Sequence, residues 1–314
     1  MSALPNDLVM SQDGPLTSAC EICGSPVGTM HLVKEMMFGT REEFQYRECT
    51  LCGCLSEVEV PADLSRFYPD QYYSMLETRT NALRKLRDRI YLSPLSMLVN
   101  WRRRPEFDVI RRCKVTKNHR ILDVGSGTGH LLQDLRELGY QAEGLDPFIT
   151  RDVRDRFGVR VWRKTIEEIS GQYDVVLFQH SLEHMPRQLA VLQAARKLLA
   201  PTGVCVISVP VVGWAWRHYG VNWGQLDAPR HLFLHTRKSM CLVALQAGFR
   251  IERVVYDSTD FQFWLSEFYR RGIPLRCCTR PNWIKTLRMR RRAALLNRAE
   301  DGDQAQFYLR PASN

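Results

Sequence analysis

Between residues 118 and 257 the apolar positions fall into two alternating kinds of segment. Short solid runs rich in Val, Ile and Leu occur at 120–124, 141–145, 159–162, 174–179 and 203–209. Runs of that length and composition read as strands covered on both faces. Between them lie stretches with apolar residues every three or four positions, which predict helices over 131–138, 149–157, 188–199 and 239–247. Gly248 supplies the C-terminal stop of the last. Strand and helix in alternation is the pattern of an α/β, doubly wound parallel sheet. A sixth strand is predicted at 250–257 and a seventh at 304–309, which leaves 258–303 as an insertion between them. Upstream, Leu83, Leu86, Ile90, Leu95 and Leu98 recur at helical spacing, with Pro94 as an interruption. A second helix at 106–113 leads into the first strand.

The first of these strands runs directly into glycine: Asp123-Val124-Gly125-Ser126-Gly127-Thr128-Gly129. Glycine at alternate positions lets a backbone come close to a ligand where a Cβ would collide with it. Asp146 ends the second strand, 21 positions after Gly125. A carboxylate there suits the two hydroxyls of a ribose, as in nucleotide-binding βαβ units. The bland alternative is a tight strand–helix turn with no ligand. An NAD-linked oxidoreductase is a second alternative, although its fingerprint places the third glycine one position later.

This segment resembles motif I of the class I methyltransferases that use S-adenosylmethionine (SAM). The resemblance spans roughly residues 118–310 and includes Gly144-Leu145-Asp146-Pro147, Tyr173-Asp174-Val175-Val176-Leu177-Phe178 and Leu182-Glu183-His184. It implies a seven-stranded Rossmann-like sheet whose last strand pairs antiparallel. It also implies that Gly125, Ser126, Gly127 and Gly129 wrap the methionine part of SAM and that Asp146 holds its ribose. Asp123 would orient the loop or meet the SAM ammonium group. Thr165 would lie near the adenine, and Gln179 would border the methionine part or the methyl.

His180-Ser181-Leu182-Glu183-His184 follows the fourth strand. Methyl transfer from a sulfonium needs alignment of the acceptor and often removal of its proton, and histidine suits that task near neutral pH. His184 is the first expectation for general base and His180 the second, with Glu183 orienting a histidine. A purely structural role for Glu183 and His184 is the alternative. Downstream, Asn222-Trp223-Gly224-Gln225-Leu226-Asp227-Ala228-Pro229-Arg230-His231-Leu232 resembles a wall above the cofactor in a bacterial group of these enzymes. Trp223, Asp227, Arg230 and His231 are therefore expected to contact substrate, with Arg230 suited to a phosphate or carboxylate. His180, Glu183, His184 and His231 also form a set of ligand types that could hold a divalent ion.

Five of the ten cysteines precede residue 55. Cys20-x-x-Cys23 and Cys49-x-x-Cys52 are separated by 25 residues, and each pair is followed by glycine. Four thiolates so arranged suit a closed, tetrahedral, structural zinc site. Reduced structural cysteines and a redox pair are the alternatives, and Cys54 is left over. A similar knuckle precedes the methyltransferase domain in some bacterial deoxysugar C-methyltransferases. The expected division is a zinc-ribbon-like domain with an aromatic linker at 1–78, a basic helical segment at 79–117, and the methyltransferase domain at 118–314.

The chain has 314 residues and a net charge of +10, unevenly spread. Residues 1–78 hold 4 Lys/Arg against 12 Asp/Glu, residues 79–120 hold 13 against 3, and residues 270–298 hold 10 against none. Basic blocks beside a neutral catalytic region point to an anionic partner, with solvated helix faces as the plain alternative. The stretch 283–296 can form a basic amphipathic helix suited to an anionic membrane. No 18-residue uncharged apolar run exists, and residues 1–13 lack an export-signal pattern, so a cytoplasmic enzyme with optional membrane contact is expected. The acceptor is expected to be a sugar nucleotide, a glycan or lipid-linked intermediate, or a secondary metabolite, methylated on oxygen or carbon. An RNA methyltransferase gripping phosphates and a non-catalytic SAM-binding scaffold are the competing readings.

Overall fold

The computed structural model describes residues 19–68, 86, 90–92, 105–154 and 158–312. Its first strands are β1 (Val27–Lys34), β2 (Glu43–Cys49) and β3 (Leu55–Glu57). Helix α1 (Pro105–Arg112) leads to β4 (Arg120–Val124), α2 (His130–Glu137) and β5 (Gln141–Leu145). Strands β6 (Val153–Arg154), β7 (Arg160–Trp162) and β8 (Tyr173–Gln179) follow, then α3 (Gln188–Leu198) and β9 (Leu199–Pro210). After α4 (Trp214–Tyr219) come β10 (Phe233–Leu234), α5 (Arg237–Gln246) and β11 (Phe249–Tyr256). The chain closes with α6 (Phe261–Arg270), α7 (Trp283–Arg298) and β12 (Gln304–Pro311).

Eight strands form the main sheet in the order β11-β12-β9-β8-β4-β5-β7-β6. The central pairs are parallel, and β12 runs antiparallel between β9 and β11. This is the doubly wound, Rossmann-like sheet with a reversed late strand. Side chains alternate across it as a pleated strand requires. Ile121, Val175 and Leu177 pack with α1 and α2, whereas Leu122, Val176 and Phe178 pack with α3 and α5. Truncating one of these fully buried aliphatics to alanine costs about 2–5 kcal/mol.

The eighth strand replaces an expected helix. Residues 149–157 have helical apolar spacing, yet Val153–Arg154 pairs antiparallel with β7 at the sheet edge. Residues 155–157 of that expected helix lie outside the described residues. So does most of the basic stretch 79–104, of which Leu86, Ile90, Tyr91 and Leu92 are described, all helical.

The N-terminal segment packs directly against the rest of the fold. Strands β1, β2 and β3 continue into β10 as a second, four-stranded sheet. Cys20, Ile22, Cys49, Cys52 and Cys54 share one apolar core with Met240 and Val243 of α5. Lys238 Nζ and Thr236 Oγ1 donate to the Leu51 and Cys52 carbonyls, tying the second knuckle to the start of α5.

Candidate active site

The glycine loop sits at the carboxyl ends of β4 and β5, where ligands of open parallel sheets bind. Asp146 Oδ2 accepts from Gly127 N at 2.8 Å and its Oδ1 from Phe148 N at 2.9 Å, so the carboxylate holds the loop closed. Asp123 Oδ1 is buried and accepts no hydrogen bond. Burial, with the neighbouring Asp146 charge, pushes the Asp123 carboxyl up to about 7. An unpartnered buried acceptor costs stability unless a donor arrives. An ammonium group is such a donor, so Asp123 and Asp146 fit the amino and ribose ends expected of SAM.

Two of the glycines are required by the protein itself. A Cβ on Gly125 would lie 2.5 Å from Ser181 Cβ, and one on Gly129 would lie 2.9 Å from Val161 Cγ2. The expectation of ligand approach at these positions is thus joined by a packing reason. Ser126 N and Oγ both meet the Leu145 carbonyl. Thr165 opens a short turn after β7, where its N–H donates to Glu168. Gln179 ends β8, half-buried, beside His180.

A cavity of about 580 Å³ adjoins the end of β8. Of the expected catalytic and substrate residues, His180, Glu183, Asp227 and His231 line it. His180 adopts φ 52°, a conformation strained for a residue with a Cβ and often found at functional sites. Its Nδ1 lies 3.4 Å from Glu183 Oε1. Glu183 is almost fully buried, and neither oxygen accepts a well-formed hydrogen bond. Burial would lower the His180 imidazole, but the Glu183 carboxylate outweighs it and holds the pKa above its ordinary value.

His184 stands behind this pair rather than on the cavity. Its Nδ1 lies 2.8 Å from the Arg230 carbonyl and 3.1 Å from Tyr68 Oη. A carbonyl only accepts, so Nδ1 is the donor in that contact. His231 Nδ1 likewise donates to the Gln225 carbonyl at 2.8 Å, and burial lowers this imidazole to about 4. The two rings meet edge to face at 4.7 Å. One ligand atom each from Glu183, His184 and His231 lie within 4.8 Å of one another. A carboxylate and two imidazoles are ligand types that suit a divalent cation. His180, part of the four-residue set expected from sequence, stands outside this trio.

Two expected substrate contacts have other partners. Arg230 is fully enclosed: it forks onto Asp227 at 2.6 and 3.0 Å, reaches Glu35 at 2.9 Å, and donates to the Phe67 carbonyl at 3.3 Å. With its donors so used, it is not placed to bind a substrate anion. Trp223 is equally buried and gives its indole N–H to Asp303 at 3.0 Å, off the cavity wall. Both act by positioning the loop that carries Asp227 and His231. Of the aromatic linker, Phe67 and Tyr68 are described, and the remainder of 67–73 lies outside the described residues.

The rest of the wall was not legible as a motif. Met37 comes from the β1–β2 turn, Phe261, Gln262, Trp264 and Tyr269 from α6, and Arg280 and Arg290 from the following loop and α7. The 258–303 insertion thus covers the site. Its packing is continuous with the N-terminal sheet, since Leu275 N donates to the Met36 carbonyl at 2.8 Å and Arg41 to the Gly272 carbonyl at 2.7 Å.

At the opposite end of that sheet, Cys20, Cys23, Cys49 and Cys52 converge. The Sγ atoms of Cys20 and Cys52 are 3.7 Å apart and those of Cys23 and Cys49 are 3.5 Å apart. A tetrahedron with zinc–sulfur bonds of about 2.3 Å has edges of about 3.8 Å. The Cys52 amide points at Cys49 Sγ at 3.5 Å. Four thiols at these separations fit a zinc ion. Cys54 is buried beside them and its thiol points to the Leu55 carbonyl.

A sequence profile described as a methyltransferase domain matches residues 75–254, more than half of the chain. The chain belongs to this methyltransferase domain family. The chain is 26% identical over 175 residues to a ubiquinone biosynthesis O-methyltransferase from Psychrobacter arcticus, covering 47% of this chain and 66% of that protein. It is 33% identical over 103 residues to the protein of that name from Psychrobacter cryohalolentis, covering 28% and 40%. The chain therefore spans two thirds or less of these curated relatives. Among solved structures, the 1,6-didemethyltoxoflavin-N1-methyltransferase of Burkholderia thailandensis aligns at 16% identity and a TM-score of 0.41, over 76% of this chain and 94% of that one. The matched segment 75–254 holds the glycine loop, Asp146 and the His180–His184 turn.

Proposed function

We propose that the protein transfers a methyl group from SAM to a small acceptor: a sugar nucleotide, a glycan or lipid-linked intermediate, or a secondary metabolite. The observation that carries this reading is the juxtaposition at the end of β8. There the His180–Glu183 pair opens into a 580 Å³ cavity, and the Asp146-closed glycine loop follows the neighbouring strand β4. A cavity of that size suits a drug-sized molecule.

SAM supplies an electrophilic methyl on a sulfonium. Asp123 would hold its ammonium group, and the remaining lone pairs of Asp146 would take the ribose hydroxyls. The acceptor would lie against Trp264 and Tyr269, with the unpartnered Gln262 Oε1 able to accept from one of its polar groups. His180 would take the acceptor proton as the acceptor atom bonds the methyl carbon and the carbon–sulfur bond breaks, its electron pair staying on the sulfur of the departing S-adenosylhomocysteine, and Glu183 would stabilise the resulting imidazolium. Holding the two reactants in line supplies much of the rate.

The ribbon zinc would be structural, because its four thiolates leave no open position. Its task would be to fix the knuckle end of the N-terminal sheet against the start of α5.

Incubating the protein with methyl-labelled SAM and fractionated source-cell lysate tests the reading. Label in the small-molecule or lipid-extractable pool is the expected result. Label confined to RNA would overturn it.

A further inference from the structure

Helix α7 carries an outward stripe that the catalytic reading does not use. Its inward face is settled: Ala293 is buried, Met289 joins the α6 cluster, and Asn297 bonds both backbone groups of Ser258. Arg290 pairs with Asp260 at 2.9 Å, and Arg292 lies over the Trp214 ring at 4.3 Å. On the opposite side, Ile284, Leu287, Arg288, Arg291, Leu295 and Arg298 fall on one stripe at three- and four-residue spacing.

That stripe is open to solvent. Trp283 is 75% exposed, Leu295 62%, Ile284 47% and Leu287 44%. No acidic residue occurs in the helix. Lys285, Arg288, Arg291 and Arg298 have no ion-pair partner among the described residues. A merely solvated basic helix has no reason to hold four large apolar side chains in water on the same side as its cations.

We propose that α7 is a peripheral membrane-docking helix that seats on anionic phospholipid. Trp283, Ile284, Leu287 and Leu295 would enter the boundary between headgroups and acyl chains. Lys285, Arg288, Arg291 and Arg298 would meet the phosphates. Apolar residues interleaved with cations are the chemistry of an interfacial helix. A nucleic-acid grip would expose cations and aromatic or polar groups, without the aliphatic pair Ile284 and Leu287 at its front. No helix among the described residues is long and apolar enough to cross a membrane.

The location gives the docking a consequence. Arg290 of the same helix, and Arg280 just before it, line the acceptor cavity. Docking therefore brings the cavity to a lipid surface and selects, within the methyl-transfer reading on which this step rests, an acceptor that resides there.

The test is co-sedimentation with vesicles of phosphatidylcholine alone and of phosphatidylcholine with phosphatidylglycerol, at low and high salt. The expected result is binding to the anionic vesicles at low salt only. Arg288→Glu with Arg291→Glu should abolish it. Ile284→Ser with Leu287→Ser and Leu295→Ser should weaken it at least tenfold. Both variants should keep the melting temperature and the S-adenosylhomocysteine affinity of the parent, because every altered side chain points to solvent. Absence of binding to anionic vesicles overturns the proposal. So does equal binding by the serine variant, or a serine-insensitive, charge-dependent binding to transfer RNA instead of vesicles. Vesicle binding with methyl label confined to the aqueous small-molecule pool keeps the docking surface and overturns its link to the acceptor.

Discussion

Glu35 and Arg230 form an ion pair at 2.9 Å in which neither side chain reaches solvent. Glu35 belongs to the turn after β1 and also accepts from the amides of Phe38, Gly39 and Thr40. Arg230 belongs to the loop that carries Asp227 and His231. The pair thus joins the four-cysteine module to the wall of the acceptor cavity. Removing one carboxylate from a buried cluster is destabilising, by less than the ~3–5 kcal/mol of a fully uncompensated charge because Asp227 still pairs with Arg230. Glu35→Gln is expected to lower the melting temperature and cut kcat at least tenfold while S-adenosylhomocysteine affinity stays within about twofold. Parental kcat in this variant would show that the module does not position the loop.

Asp123 makes cofactor binding depend on pH. Its folded pKa near 7 lies above the unfolded value of 3.8, so the folded apoprotein holds a proton that the unfolded chain has lost between those limits. This group's contribution to stability therefore falls as pH rises through that window. A SAM ammonium favours the ionised carboxylate and expels the proton. Calorimetry should show SAM affinity rising from pH 5 to about 7 with proton release, then levelling. Asp123→Asn should flatten the profile and weaken binding.

The His180–Glu183 pair predicts a shaped pH–rate profile. Removing a general base costs about 10²- to 10⁴-fold, and His180→Ala should lose that much in kcat. Glu183 holds the His180 pKa up, so base function is lost as pH falls through that raised value. Glu183→Gln should move the acidic limb of kcat to lower pH while reducing its height. An unmoved limb would reassign the base.

Metal content separates the two metal-competent clusters. One zinc per chain is expected by elemental analysis, retained through mild chelation. Methyl transfer should persist with that single ion, the Glu183–His184–His231 trio taking a proton or acceptor hydroxyl instead. Loss of transfer while the ribbon zinc remains would assign the trio a catalytic cation. Cys49→Ser should release the zinc and lower the melting temperature.

The sheet was legible because its strands are solid apolar runs, and their order follows once β12 is read as the reversed strand. The glycine loop, Asp146 and the cysteine pairs were legible for the same reason: each is a short motif whose spacing is set by local geometry. The edge strand β6 was not, since Val153–Arg154 is held by pairing to β7 rather than by its own periodicity. Arg230 reads as a substrate anchor in one dimension because nothing there reveals Glu35, 195 positions away. The sequence puts His184 ahead of His180 as the base, whereas the turn after β8 faces His180 to the cavity and leaves His184 behind it, an arrangement that residue order alone does not reveal. The cavity roof, Gln262, Trp264 and Tyr269, lies in an insertion with no motif at all.

Titration of the intact protein with S-adenosylhomocysteine tests the central claim most directly, in parallel with Asp146→Ala. One site per chain, weakened at least tenfold in the variant, is the result this account predicts. No binding by the parent protein, or binding unchanged by Asp146→Ala, would contradict it.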